Sequence, residues 1–231
     1  MKKIISSALV IAASVFVVNA QELKSKKGED FLPKKGDWAI SFDATPLFNY
    51  VGKVFTSSNQ APNVNFLDNQ QIIAKKFTKN NEALRAVARL NFVSTTQKDV
   101  STTTDFNLNI GLGKEWRKGS TRLQGYYGAD AMLMFGSGQK VKQSSSDTYT
   151  KSGSSFGIGA RGFLGAEYFI FPKISIGAEY GWGLAFVSTG KSVSVVNGVE
   201  TVTNKGGSAI GADTDVNGSS STGSLRVTLH F

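Results

Sequence analysis

DFNLNIGLGKEW, Asp105 to Trp116, alternates along its length. Phe106, Leu108, Ile110, Leu112 and Trp116 fall on one side, and Asp105, Asn107, Asn109, Gly111, Gly113 and Glu115 on the other. A period of two belongs to a β-strand, whose successive side chains point to opposite faces. The same period recurs in both directions from this stretch. EALRAVARLNF sets Leu84, Ala86, Ala88, Leu90 and Phe92 against Arg85, Val87, Arg89 and Asn91, and DWAISFDA sets Trp38, Ile40, Phe42 and Ala44 against Ala39, Ser41 and Asp43. RLQGYYGADAMLMF, FGIGARGFLGAEYF and ISIGAEYGWGLAF follow. SLRVTLHF comes last, with Leu225, Val227, Leu229 and Phe231 facing away from Ser224, Arg226, Thr228 and His230. Together with QQIIAKKF, the weakest pattern, these segments make about eight strands, each near or above the ~9–11 residues of a tilted membrane-crossing strand.

The connections alternate in length. TKNNE near Asn80, RKGS at Arg117 to Ser120 and FPK at Phe171 to Lys173 are tight, whereas the four between them are long, polar and rich in Ser, Thr, Gly and Asn. An up-and-down antiparallel sheet with one neat and one ragged end is expected. In the last long connection, SVSVVNGVETVT contains an Asn-Gly pair between alternating valines, which predicts a hairpin that extends the sheet.

Composition narrows the setting. MKKIISSALVIAASVFVVNAQ opens with two lysines, then an apolar run from Ile4 to Val18 and small residues up to Ala20. Roughly 15 apolar residues fall short of the ~20 that span a bilayer, so residues 1–20 read as a signal peptide cut after Ala20. Residues 21–36 form a basic periplasmic segment, and 37–231 a single β domain. With no cysteine in the chain, disulfides and thiolate metal sites are excluded. Losing Lys2 and Lys3 lowers the formal charge from +9 to +7. For an exported protein that balance points to lipid phosphates and anionic glycolipid, and no nucleic-acid partner is expected.

Alternation alone does not say which phase faces out, because soluble barrels of the lipocalin kind hold their apolar phase inside. Three features favour the opposite arrangement. The polar phase carries matched charges, Arg85, Arg89, Arg161 and Arg226 against Glu115, Asp130, Glu167 and Glu179, together with many glycines, as a crowded lumen would. The apolar phase has aromatics near strand ends (Trp38, Trp116, Tyr127, Tyr168, Tyr180, Trp182), as in interfacial girdles. Short turns alternating with long loops is also the habit of membrane barrels, with the turns periplasmic. The expected fold is therefore all-β, an eight-stranded antiparallel up-and-down transmembrane β-barrel.

LGAEYFIFPKISIGAEYGWGL, LQGYYGADAML and SLRVTLHF resemble the small outer-membrane β-barrel family common in Bacteroidetes, which belongs with the OmpA/OmpX-type eight-stranded barrels. The resemblance covers about Asp37 to Phe231 and specifies fold better than activity. It implies the outer membrane of a Gram-negative bacterium, contact with its lipid and lipopolysaccharide, delivery by periplasmic chaperones, and a monomer. It also implies that the last strand, Leu225, Val227, Leu229 and Phe231, is the signal read by the assembly machinery. A peptidoglycan-binding module after the barrel is not expected.

Several motifs invite chemistry. GIGARG, Gly157 to Gly162, matches G-x-G-x-x-G, but a dinucleotide site needs a helix to start there; glycines that make room for Arg161 and nearby rings are expected instead. DTDVNG, Asp213 to Gly218, matches half a calcium loop, yet the twelfth position is Ser224 rather than Glu. His230, the single histidine, falls at the turn end, away from the end where hydrolases of this fold work. No catalytic residue, cofactor or metal is expected. The Arg/Asp/Glu set could line a narrow ion path or plug the lumen. An eight-stranded interior is only just wide enough for side chains, which favours the plug. The expected function is a non-enzymatic barrel with a structural or surface-recognition role through its loops. A narrow channel is the alternative, and a lipid-modifying enzyme comes third.

Overall fold

The computed structural model describes residues 23–44, 71–143, 148–213 and 223–231. The signal-peptide assignment for residues 1–20 and most of the DTDVNG loop lie outside them. Thirteen strands occur, with no helix among the described residues. They are β1 (Trp38–Asp43), β2 (Gln71–Lys79), β3 (Glu82–Gln97), β4 (Ser101–Lys118), β5 (Leu123–Gly136), β6 (Lys140–Gln143) and β7 (Tyr149–Lys151). Then come β8 (Ser155–Phe171), β9 (Ile174–Thr189), β10 (Ser192–Val196), β11 (Val199–Asn204), β12 (Gly207–Asp213) and β13 (Gly223–His230).

All pair antiparallel in one sheet. Strands β1, β2, β3, β4, β5, β8, β9 and β13 each pair with the next, and β13 returns to β1, so eight strands close into a ring in chain order. The seam between the first and last strands runs from Ala39 opposite His230 to Asp43 opposite Arg226. Trp38 and Phe231 finish it by donating N–H bonds to each other's carbonyls at 2.8 and 2.9 Å.

The three short connections lie at one end, the turn end. Asn80 and Asn81 join β2 to β3, residues 119–122 join β4 to β5, and Pro172 and Lys173 join β8 to β9. Arg117 is not part of its turn, as RKGS suggested. It belongs to β4 and shares the inward phase of Gly113 and Glu115. At the other end, the loop end, one expectation is corrected: β3 and β4 are not linked by a long loop. They run on as a hairpin paired from Glu82 opposite Trp116 to Gln97 opposite Ser101, turning at residues 98–100. The threonines here are β-branched and suit a strand, and Ser101–Thr104 are half-buried between β3 and β6.

Asn197 and Gly198 take φ of 52° and 81°, the left-handed pair that a two-residue hairpin turn requires, and join β10 to β11. This hairpin does not extend β9. It pairs with β7, which pairs with β6 and so with the outer part of β4, building an apron beyond the ring. The upper part of β9 takes β12 as its neighbour instead.

Residues 23–37 cross the turn end. Phe31 is buried beneath the Arg122 guanidinium at 3.8 Å, and the Gly36 N–H donates to the Phe77 carbonyl at 2.9 Å. Lys173 is the joint of this region. Its N–H donates to the Phe31 carbonyl, its carbonyl accepts from the His230 N–H, and its ammonium pairs with Asp37. Partial burial of Asp37 works against ionisation, but Lys173 and the Lys34 N–H outweigh it and hold the carboxyl below the ordinary value of 3.8. A lowered carboxyl contributes stability above its unfolded value and loses it as pH falls through the folded one. Acidification below about pH 3.8 is therefore expected to loosen residues 23–36, seen as faster proteolysis there. Asp37→Asn should show the loosened pattern already at pH 7.

The two phases of each strand are sorted by the ring. Apolar residues outside are exposed, among them Leu84, Leu112, Leu164 and Trp182, while the polar phase is enclosed. Trp38, Trp116, Tyr127 and Tyr168 lie toward the turn end, and phenylalanines (Phe92, Phe135, Phe156, Phe186) toward the loop end. Tyr180 and Trp182 are not near a strand end as expected; they occupy positions 7 and 9 of the 16 residues of β9.

Candidate functional site

The enclosed charges form the candidate site. Each of Arg85, Arg89, Glu115, Asp130, Arg161, Glu167, Glu179 and Arg226 is buried inside the ring. Glu179 on β9 is the hub: Arg85 Nη1 donates to it at 2.9 Å, Arg161 Nη1 at 3.0 Å and Arg226 Nη2 at 3.4 Å. Arg85 also reaches Glu115 at 3.1 Å and Asp130 at 3.4 Å, and Arg161 reaches Asp130 at 3.4 Å. Two cations that sequence reasoning missed complete the set. Lys75 on β2 pairs with Glu115 at 2.8 Å, and Arg117 bridges Glu115, at 3.1 Å, to Glu167. The signal for both was parity: Lys75 is in phase with Ile73 and Phe77, and Arg117 with Glu115.

Arg226 also donates to Gln71, and Asp43, half-buried, lies directly across the seam from it on the same face. Charges with this little water must neutralise one another, because an unpaired buried ion costs several kcal/mol. Neighbouring strands supply the space. A Cβ on Gly113 would stand 2.0 Å from Asp130 Oδ1, and one on Gly128 would stand 2.4 Å from the Phe163 ring. For Arg161 the room comes from Gly181 on β9, where a Cβ would meet Nε at 2.2 Å. The glycines of GIGARG are inside strand β8; Gly157 faces Met134 and Val187 and Gly162 faces outward, so the room for Arg161 does not come from these two.

Aromatic rings seat the cations. The Arg85 guanidinium lies 3.7 Å from the Phe163 centroid, and the Lys75 ammonium 4.9 Å from that of Tyr126. Below them, at the turn end, His230 is held between Phe77 and Phe169, with centroids 5.7 and 5.0 Å away. Ser175 Oγ at 3.4 Å and Glu167 Oε1 at 3.8 Å both approach its Nε2. A nucleophilic triad needs hydroxyl and carboxylate on opposite ring nitrogens. Here both meet the same nitrogen, and Ser175 is fully buried. This is not the geometry of such a triad. No group of three or more potential metal-ligating side chains occurs among the described residues.

The remaining predicted positions belong to β13 and the seam. Leu225, Leu229 and Phe231 are exposed on the outer wall, Val227 is half-buried there, and Ser41 and Thr228 hydrogen-bond across the inside of the seam at 2.7 Å. No family model matches the chain, and no curated protein matches it.

Proposed function

We propose that this protein is an outer-membrane β-barrel without catalytic activity, its lumen plugged by its own charged side chains. Its role is structural or one of surface recognition, through the strands and loops beyond the loop end. The carrying observation is an inversion of burial. Arg85 and Glu115 inside the ring are 2% and 0% exposed, while Leu112 and Leu164 outside are 71% and 61% exposed. In water an apolar surface that encircles the molecule would drive aggregation. Against acyl chains it is at rest, and a closed ring leaves no backbone edge unpaired in lipid.

Dimensions and decoration support the reading. From Phe156 to Tyr168 the outer face of β8 runs 12 residue steps, which at ~3.4 Å each and a tilt of ~40° is roughly 30 Å of height, close to a hydrocarbon core. At the turn end the outward lysines sit over indoles: Lys76 Nζ is 4.5 Å from the Trp38 ring and Lys114 Nζ is 5.2 Å from that of Trp116. Lysines that run along apolar surface toward head groups behave this way. The resemblance to small Bacteroidetes barrels fits the same conclusion. It brings with it the lipopolysaccharide-bearing outer membrane as location, the chaperone and assembly partners, and a monomeric state. The filled lumen weighs against a channel.

Protein refolded from urea into detergent micelles is expected to show heat-modifiable migration and no conductance in planar bilayers. The chain has no cysteine, so single cysteines report topology cleanly. Ser208→Cys should react with an impermeant maleimide on intact cells, and Ser120→Cys only after lysis. The reverse pattern inverts the orientation. Full release of the protein by carbonate wash would make it a soluble barrel.

A further inference from the structure

We propose that the outward face of the β6–β7 ribbon binds the phosphate-bearing anionic head group of a membrane lipid. This rests on the membrane reading above and adds a ligand to the apron. Register carries it. In β4, Thr102 and Thr104 are in phase with Phe106 and Leu108 on the outer wall, and they pair directly with Lys142 and Lys140. Lys140 in turn lies opposite Lys151, and Lys142 opposite Tyr149. Side chains directly opposite in a sheet share a face. Lys140, Lys142 and Lys151 therefore all project from the same surface as the apolar wall.

The lysines begin one residue pair above it, at ~7 Å along the strand from Phe106. The other face of this ribbon carries Val141, Gln143 and Thr150, with no charge. Solubility alone would not segregate charge in this way. Like charges directly opposite one another are unfavourable, and Lys140 and Lys151 are such a pair, both exposed. Within β6, β7, β10 and β11 the one acidic residue is Glu200, which already has Lys191 at 3.4 Å. An anion between the lysines removes the repulsion. Tyr149 holds the Lys140 ammonium 4.8 Å from its ring centroid and so fixes its position.

Continuity with the wall selects the occupant. A lipid reaches the lysines with its phosphate while its chains lie on Phe106 and Phe135, whereas a soluble phosphate gains only the charges.

The test uses protein refolded in neutral micelles, with native mass spectrometry counting retained phosphatidylglycerol against phosphatidylcholine. Wild type should retain phosphatidylglycerol in a salt-sensitive way. The combined variant Lys140→Gln, Lys142→Gln, Lys151→Gln should weaken this at least roughly tenfold. Lys26→Gln, Lys27→Gln, Lys35→Gln at the turn end should leave it unchanged. Heat-modifiable migration of each variant establishes folding, and Lys142→Glu alone serves if the combined variant does not fold. Equal retention by folded wild type and variant overturns the proposal and leaves the barrel reading intact. Failure of wild type to insert into micelles overturns the barrel reading, and this proposal with it. Binding of inorganic phosphate as tight as that of the lipid would assign the lysines to a soluble anion and also overturn it.

Discussion

Glu179→Gln is expected to destabilise the folded protein more than any other charge-removing change in the ring, by about 3–5 kcal/mol, the usual consequence of leaving buried partners unpaired. The substitution keeps the side chain's volume and removes its charge, so packing is not the cause. Glu179 is the shared acceptor of Arg85, Arg161 and Arg226, and all three would keep their charge in a site that water does not reach. Arg161→Ala should cost less, since Glu179 retains Arg85 and Arg226 and Asp130 retains Arg85. Lys205→Ala, on an exposed loop, should lie within about 0.5 kcal/mol of wild type. Urea unfolding of protein refolded in micelles measures all three. A double-mutant cycle of Glu179→Gln with Arg85→Ala should return a coupling above about 1 kcal/mol. If Glu179→Gln matches Lys205→Ala, the interior is solvated, and both the plug and the membrane reading lose their basis.

Phe231→Ala is expected to separate folding from delivery. The ring is 64% exposed on the outer wall, so its loss removes little packing. The residue's contribution to closing the seam is made by backbone, through the two bonds with Trp38, and an alanine keeps both. Refolding in detergent with near-normal heat-modifiable migration should therefore survive. Accumulation in the outer membrane of cells should fall several-fold if the terminal aromatic is the signal that the family resemblance implies. Phe231→Tyr and Phe231→Trp should restore it. Normal cellular levels of Phe231→Ala would leave the ring as an ordinary lipid-facing side chain and remove one ground for the resemblance.

Local chemistry was enough for much of this. A period of two is a property of neighbouring residues, so the sides taken by Phe106 and Glu115, or by Leu229 and His230, follow from the chain without knowledge of its partners. Turn positions are similarly local: Asn197–Gly198 and Pro172–Lys173 can do little else between alternating runs. Within QQIIAKKF, the poorest pattern, Gln71 to Phe77 form a strand because β1 and β3 pair along its two edges, a context its own residues do not contain. The polar run after Phe92 is strand rather than loop for a related reason. Hydrophilic residues signal a loop unless a partner strand is at hand, and Ser101–Thr104 provides one.

The sequence by itself determined the alternating segments at the heart of the eight ring strands, the tight turns near Asn80, Gly119 and Pro172, and that two chemically opposed phases run through those segments. Only the tertiary structure decided that the charged phase is enclosed, and which charge meets which. Arg85 finds Glu179 although 94 residues separate them. Lys75 joins Glu115, and the β10–β11 hairpin joins β7 rather than β9. The physical reason is closure. Alternation fixes side but not height, and heights across a ring depend on how every strand is staggered against the next, a quantity that exists only once β13 has paired with β1.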